Sequence, residues 1–302
     1  MKLFDKIVSK TVLEKGWSTD KKYCAKDQDG GKYLLRISPI EQYGRKKSEF
    51  DLMNQVAELG VPMCVPLEFG TCDEGVYSIQ SWINGVDAET ADLSYEEQYN
   101  YGIEAGQILK KIHCIPAPDN IESWADFFNR KIDRKIKAYE ECSLKYDKGQ
   151  IFIDYVNSHR HLLNGRPRTY QHGDYHVGNM MIGEDGKLYI IDFNRCDFGD
   201  PWEEFNRIVW CAQAIPLFAK GMVDGYFDNN VPMHFWELLA LYISSNTLSS
   251  LPWAIPFGEG EINVMVNQAN DVLSWYDNMN DLIPSWYKQG DKTEIQFELP
   301  SW

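Results

Sequence analysis

The sequence predicts an α+β protein with a small β-rich N-terminal lobe, residues 1–85, followed by a larger and mainly helical C-terminal lobe, residues 86–302. Three observations carry this. Short apolar runs punctuated by Gly, Pro and Asp turns fill the first eighty residues. A capping signal opens a helical texture after residue 90. An apolar hairpin pattern at 180–191 sits directly behind a polar loop. With 302 residues, 44% apolar and 14% aromatic, the chain can bury a sizeable core.

The elements follow in order. Residues 11–14 are apolar and β-branched, and 23–26 and 32–38 flank Asp29, Gly30 and Gly31, a strong hairpin turn. Pro39 ends that strand. Phe50, Met53, Val56 and Leu59 then recur on one helical face until Gly60 and Pro62 stop them. Residues 66–70 and 76–82 alternate around the turn Asp73, Glu74, Gly75, and Ile83, Asn84 and Gly85 break the sheet. The boundary between lobes falls near 82–92. Ser94 and Glu97 form a capping box, with Leu93 as its staple, and open a helix carrying Ile103, Gly106, Leu109 and Ile112. That helix stops before Pro116. Two more helical stretches cover 121–142 and 149–163. Met180–Ile182 and Leu188–Ile191 then flank the turn at 183–186 as a hairpin, and helices fill 202–222, 233–250 and 260–279. The tail, 284–302, has no clear period.

Composition excludes several functions. The formal charge of −15 opposes nucleic-acid partners and docking on anionic membrane; it suits a cationic small molecule better, although an acidic balance alone more often reflects only solubility. The seven cysteines, at 24, 64, 72, 114, 142, 196 and 211, contain no Cys-x-x-Cys pair, which points to inert thiols in a reducing cytoplasm. Asp5 arrives too early for a secretory signal, and no apolar run reaches the length of a membrane span.

The chemistry concentrates in one stretch. His172, Gly173, Asp174 and, five residues on, Asn179 precede one hairpin strand, and Asp192 ends the next. A carboxylate within hydrogen-bond reach of a hydroxyl orients it and takes its proton late in the reaction, which is the role of Asp174. An amide and a second carboxylate are hard oxygen ligands of low total charge, suited to Mg²⁺ held mainly by nucleotide phosphates, so Asn179 and Asp192 are the metal candidates. Read alone, Asp174 caps a turn, Asn179 is loop chemistry and Asp192 is a strand-end polar residue; the set together favours phosphoryl transfer. His172, beside Gly on a tight loop, is read as fixing the backbone, and His176 as facing solvent or substrate. Ser18, Ser78 and Ser81 lack a Gly-x-Ser-x-Gly context, so a serine hydrolase is unsupported.

These residues resemble the aminoglycoside phosphotransferase family, whose bilobal fold is like that of protein kinases. His172, Gly173, Asp174 and Asn179 match its catalytic loop; Ile191, Asp192 and Phe193 match its metal-binding segment; Ile112, His113, Cys114, Ile115 and Pro116 resemble its Leu-His-x-Ile-Pro signature. The resemblance spans about residues 10 to 280 and implies a protein-kinase-like bilobal fold, nucleotide as ATP or GTP, and Mg²⁺. It places Arg36 where the family carries a phosphate-contacting Lys, a departure that keeps the charge and changes its geometry. It implies that Arg36 contacts phosphate while pairing with Glu49, with Lys32 or a loop Lys as helper. Ser18 lies in the loop, 16–21, that would cover the phosphates, although the Gly-x-Gly-x-x-Gly pattern is missing. The carbonyl of Ser81 and the amide of Ile83 would pair with the purine edge. Asp197, Glu203 and Glu204 are candidate acceptor-binding residues, and Asp200 is read as ordering the loop and the helix starting at Pro201. Only eight residues separate Asp192 from Pro201, too few for the activation segment of a protein kinase. The implied reaction moves a γ-phosphoryl group to a hydroxyl of a small molecule, foremost an aminoglycoside-type antibiotic, which would make the protein a resistance enzyme. Choline or amino-alcohol, sugar and macrolide kinases of the same family, and a non-catalytic nucleotide-binding protein, are the alternatives.

Overall fold

The computed structural model describes residues 2–14 and 20–288. Backbone contacts divide the chain into two compact units, one of Met1–Ala91 with Asn179–Cys196 and one of Asp92–Gly178 with Asp197–Trp302.

The first unit is built on a five-stranded antiparallel sheet. β1 (Ile7–Leu13), β2 (Lys21–Asp27) and β3 (Lys32–Ser38) precede helix α1 (Tyr43–Glu58), and β4 (Pro66–Cys72) and β5 (Gly75–Ser81) follow it, in the order β1-β2-β3-β5-β4. The β2–β3 turn forms as its sequence dictates. Gly30 takes φ +86, and the Asp27 carboxylate accepts from the amides of Asp29 and Gly31 at 3.0 and 2.7 Å. At Gly75, φ is +135 and a Cβ would stand 2.1 Å from the Ser38 carbonyl, so only glycine fits that turn. Tyr23, Ala25, Leu35, Ile37, Tyr77 and Ile79 form the sheet's apolar core. Register places Arg36 of β3 opposite Lys22 of β2 on one side and Ser78 of β5 on the other. β1 begins four residues earlier than its sequence suggests. It is an edge strand with Val8 and Val12 exposed, so no buried face imposes an alternation that can be read. A short β6 (Gly85–Asp87) follows.

The chain then enters the second unit through α2 (Tyr95–Ile112), whose capping box is complete. Ser94 Oγ accepts from the Glu97 amide, and the Glu97 carboxylate accepts from the Ser94 amide at 2.9 Å. α3 (Trp124–Glu141) and α4 (Gly149–His159) follow, then β7 (Thr169–Gln171). The hairpin β8 (Met180–Gly183) and β9 (Leu188–Ile190) belongs to the first unit, where β8 pairs with β6. β10 (Asp197–Gly199) returns to pair with β7, and α5 (Ile208–Ala214), α6 (Pro216–Phe227), α7 (Met233–Ala254), α8 (Glu259–Trp275) and α9 (Ser285–Lys288) complete the unit.

Three helical expectations are corrected. The helix expected over 149–163 ends at His159 and tightens into a 3₁₀ turn, Arg160–Leu163. The one expected over 202–222 is a 3₁₀ segment, Glu203–Arg207, and two α-helices. Pro216 forces Ile215 to φ −144, ψ 82 and cannot donate to the preceding turn. The third, expected to start at 233, runs on past 250 to Ala254. The three-residue strands β6, β7 and β10 are too short to show a period of two.

α2 and α6 cross at glycine. A Cβ on Gly102 would lie 2.3 Å from the Phe218 carbonyl, and one on Gly106 2.2 Å from that of Met222. A second core, around Trp124, Phe128, Ile132, Val156, Leu163, Leu238, Leu241 and Tyr242, joins α3, α4 and α7. Among the described residues no helix is long and apolar enough to cross a membrane.

Candidate active site

In the second unit the loop after β7 is fixed residue by residue. The Tyr170 amide donates to the Ile115 carbonyl at 2.9 Å, so the Ile112–Pro116 motif aligns the strand that feeds the loop. Gly173 turns at φ +84, and its amide donates to the buried Glu204 carboxylate at 3.0 Å. His172 is wholly buried, and its Nδ1 accepts from the Asp174 amide at 3.3 Å. Tyr175 Oη donates to the Ala105 carbonyl of α2 at 2.7 Å. Asp174 is thereby presented at the surface with its side chain 19% exposed. Arg207 Nε stands 3.2 Å from its Oδ1, and His176 Nε2 3.8 Å from the same oxygen.

One network supports the other side of this loop. Asp200, fully buried, receives Arg166 through two bonds of 2.6 and 2.8 Å and the Tyr242 hydroxyl at 2.6 Å. Its backbone carbonyl accepts from Gln171 Nε2 at 2.8 Å. Asp200 therefore ties Arg166, Gln171 and Tyr242 to one another, and its carboxylate accepts from the Trp202 amide at 2.9 Å ahead of a 3₁₀ segment, Glu203–Arg207, where a helix from Pro201 was expected.

In the first unit Asp192 is the focus. It adopts φ +66, an uncommon conformation for a residue with a side chain and one that recurs at functional positions. Arg36 Nη1 donates to its Oδ1 at 2.7 Å and Lys22 Nζ to its Oδ2 at 3.2 Å. Burial alone would push the carboxyl up; the Arg36 and Lys22 cations overcome this and hold it down at about 2. The Asn179 carbonyl accepts from the Ile191 amide at 3.0 Å, so the backbone sets Asn179 beside the segment that ends at Asp192. One ionised carboxylate with one amide fits a Mg²⁺ ion that takes most of its ligands from phosphate oxygens. Among the described residues no three His, Cys, Asp or Glu side chains cluster as a metal cage.

Arg36 departs from its expected pairing. Its described ion pairs are with Asp192 and with buried Asp20, at 3.0 Å. Glu49 instead faces Arg45 at 2.8 Å and Lys46 at 2.9 Å. Lys46 of α1 also reaches Asp20 at 2.9 Å, and Ser38 Oγ donates to Asp20 at 2.8 Å. The described link between β3 and α1 thus runs through Asp20 and Lys46. A cavity lined by Asp20, Arg36, Ser38, Lys46, Glu49 and Ser78 opens on this network. Cys64, buried nearby, has its thiol pushed up to about 11 by burial, so it stays protonated and unreactive.

The remaining sequence candidates fall as follows. Ser81 ends β5, donating its amide to the Val65 carbonyl and accepting the Val65 amide on Oγ, both at 2.8 Å. Ile83 is half-buried just beyond. Ser18 and most of its loop lie outside the described residues. Asp197 is exposed. Glu203 and Glu204 are not open acceptor ligands: both are buried, Glu203 bonded to Gln171 Nε2 and Lys131 and Glu204 to the Gly173 amide. The structure brings Asn179, Asp192 and Arg36 together in the first unit, while Asp174 belongs to the second. Sequence reasoning missed Lys22 and Arg207. Lys22 is recoverable from the hairpin register, which sets it opposite Arg36; Arg207 carries no local signal.

A profile of the phosphotransferase enzyme family matches residues 11–236. Among solved structures, an aminoglycoside phosphotransferase, APH(4)-Ia, in a thermostable form bound to AMP-PNP and hygromycin B, is similar at TM-score 0.66 and 16% identity, over 90% of this chain and 95% of that one. A choline/ethanolamine kinase family protein from Mesorhizobium loti is similar at 0.65 and 16%, over 93% of each chain. The amicoumacin kinase hAmiN, solved with AMP-PNP, Ca²⁺ and Ami, is similar at 0.64 and 12%, over 94% and 92%. These likenesses establish the kinase-like bilobal α+β fold.

Proposed function

Because this chain belongs to the phosphotransferase enzyme family, and is a kinase acting on a small-molecule hydroxyl, we propose that Asp174 is its general base and that Asn179 and Asp192 are its metal ligands. The donor is a nucleoside triphosphate, ATP or GTP, bound with Mg²⁺. The observation that carries the reading is the Asp192 carboxylate, held ionised by Arg36 and Lys22 in a left-handed backbone position beside Asn179. Bound Mg²⁺ supplies neutralisation of phosphate charge and alignment of the γ-phosphoryl group.

The chain's own residues do the rest. Arg36 and Lys22 orient Asp192 and place two cations where triphosphate oxygens are to be met. Ser81 and Ile83 offer backbone groups to the purine edge. Asp174, oriented by Arg207, accepts the proton of the attacking hydroxyl as the new P–O bond forms and the bond to the leaving nucleoside diphosphate breaks. Seven free thiols suit a cytoplasmic setting. Arg36 in place of Lys leaves the phosphate cation present, which favours a working kinase over a nucleotide-binding relic.

The relatives solved with hygromycin B and gentamicin make aminoglycosides the first acceptor class to assay, with choline, sugars and macrolides beside them. The test follows ADP release from Mg-ATP across that panel. Asp174→Ala is expected to lower turnover about 10²- to 10⁴-fold while nucleotide affinity stays near that of the parent chain. Full activity in Asp174→Ala rejects the assignment of the base.

A further inference from the structure

We propose that Asp20 is the positioning residue for the phosphate cation: it fixes the plane of the Arg36 guanidinium, and through it the aim of Arg36 at Asp192 and at the nucleotide phosphates. This deepens the phosphotransferase reading and rests on it.

A guanidinium carries its donors in one rigid plane, so an acceptor on one edge sets the direction of the others. Arg36 Nε and Nη2, which form one edge, donate to Asp20 Oδ2 at 3.2 and 3.0 Å, and Nη1 points at Asp192 Oδ1 at 2.7 Å. Asp20 is itself held at both oxygens. Oδ1 accepts from Ser38 Oγ at 2.8 Å, and Oδ2 also takes Lys46 Nζ of α1 at 2.9 Å. Rotating the carboxylate away from the Arg36 edge would break bonds to β3 and α1 together. Two residues on, Lys22 reaches the second oxygen of Asp192 at 3.2 Å. The segment entering β2 thus sets both cations on Asp192, one directly and one through Arg36.

The Asp20 side chain keeps 2% of its surface and that of Arg36 7%, while Asp192 keeps 24%. Exposure rises along the contacts from Asp20 toward the proposed metal ligand, as support behind a site requires. Burial pushes the Asp20 carboxyl up; the Arg36 guanidinium and the Lys46 ammonium overcome this and hold it below the usual carboxylate range. A buried ion pair is a poor device for stability, because apolar residues of similar volume serve as well or better. What it supplies here is direction. The family resemblance gave this job to Glu49, on α1. Among the described residues Glu49 meets Arg45 and Lys46, and it is joined to Arg36 through Lys46 and Asp20.

The test uses the full chain and calorimetry with two probes: Mg-ATP, which carries the phosphates, and adenosine, which does not. Asp20→Asn keeps the shape and removes the charge. It is expected to weaken Mg-ATP binding about 5- to 30-fold and to leave adenosine within about twofold, because Arg36 meets only the phosphate half of the ligand. Glu49→Gln is expected to cost Mg-ATP less than Asp20→Asn does. In an Arg36→Lys background the Asp20→Asn loss is expected to shrink, since an ammonium offers no edge for Asp20 to hold. Should Asp20→Asn fail to fold, Ser38→Ala, which frees Oδ1 alone, carries the same contrast between probes at about 2- to 5-fold. Equal losses for Mg-ATP and adenosine, or a larger Mg-ATP loss in Glu49→Gln, overturn the proposal. A parent chain that binds no Mg-ATP overturns the kinase assignment and this inference together. A parent chain that binds it, with a folded Asp20→Asn that binds it equally well, removes the role of Asp20 alone.

Discussion

Asp192 is gripped by two cations from adjacent strands, and that grip has a pH signature. Its carboxyl is depressed from 3.8 to about 2 in the folded state, so the pair stabilises the protein fully above about pH 4 and ceases to do so as the pH falls toward about 2. The shift corresponds to on the order of 2 kcal/mol. Asp192→Asn keeps the shape and removes the charge. The stability gap between the parent chain and Asp192→Asn, measured by urea unfolding, is expected to be constant from pH 7 to 5 and to narrow below about pH 4. A gap independent of pH across that range means the clamp is not ionic. At this scale the sequence was informative about residue type and silent about partners. Asp192 and Asn179 stand out by spacing and the cation Arg36 only through the family resemblance; that Arg36 turns to Asp20 and leaves Glu49 to Lys46 depends on side-chain directions no local pattern records.

Helices α2 and α6 pack backbone against backbone, and both carry the spacing that allows it. Gly102 and Gly106 are four residues apart, as are Gly221 and Gly225. A Cβ on Gly221 or Gly225 would stand 2.3 or 2.2 Å from the carbonyls of Tyr99 and Ile103. The sequence showed Gly106 on an apolar face and gave no reason for glycine there; the paired Gly-x₃-Gly spacing in two distant segments was the available signal. α2 also anchors the 172–179 loop through Ala105 and Tyr175, so prising it from α6 should be felt at the candidate site. Gly106→Ala is expected to destabilise by about 1–3 kcal/mol through overpacking, although alanine is the better helix former. Gly260→Ala in α8, where a Cβ meets nothing within 4 Å, is the control and is expected to be neutral or slightly stabilising. Equal melting temperatures for the two variants would remove the close crossing as the explanation.

Over the whole chain, the contact division assigns Asn179–Cys196 to the N-terminal unit. The hairpin itself was legible from its Gly183-to-Gly186 turn and flanking apolar runs. Its pairing with β6, across about ninety residues of helical chain, was not, because a three-residue strand has no period and its partner is fixed only by tertiary packing. The consequence is a separation of labour. Arg36, Lys22, Asn179 and Asp192 belong to one compact unit and Asp174 to the other. If the nucleotide–metal site is built from the first set, ligand linkage must track that unit alone. Mg-ATP at about 100 times its Kd adds about 2.7 kcal/mol to the stability of what it binds. The parent chain and Asp174→Ala should therefore show the same Mg-dependent rise in melting temperature with ATP, and Asp192→Ala should show none. A rise that survives in Asp192→Ala would place the metal elsewhere. One that disappears in Asp174→Ala would mean that the proposed base is needed for nucleotide to bind, and the division between holding the phosphates and activating the hydroxyl would fall with it.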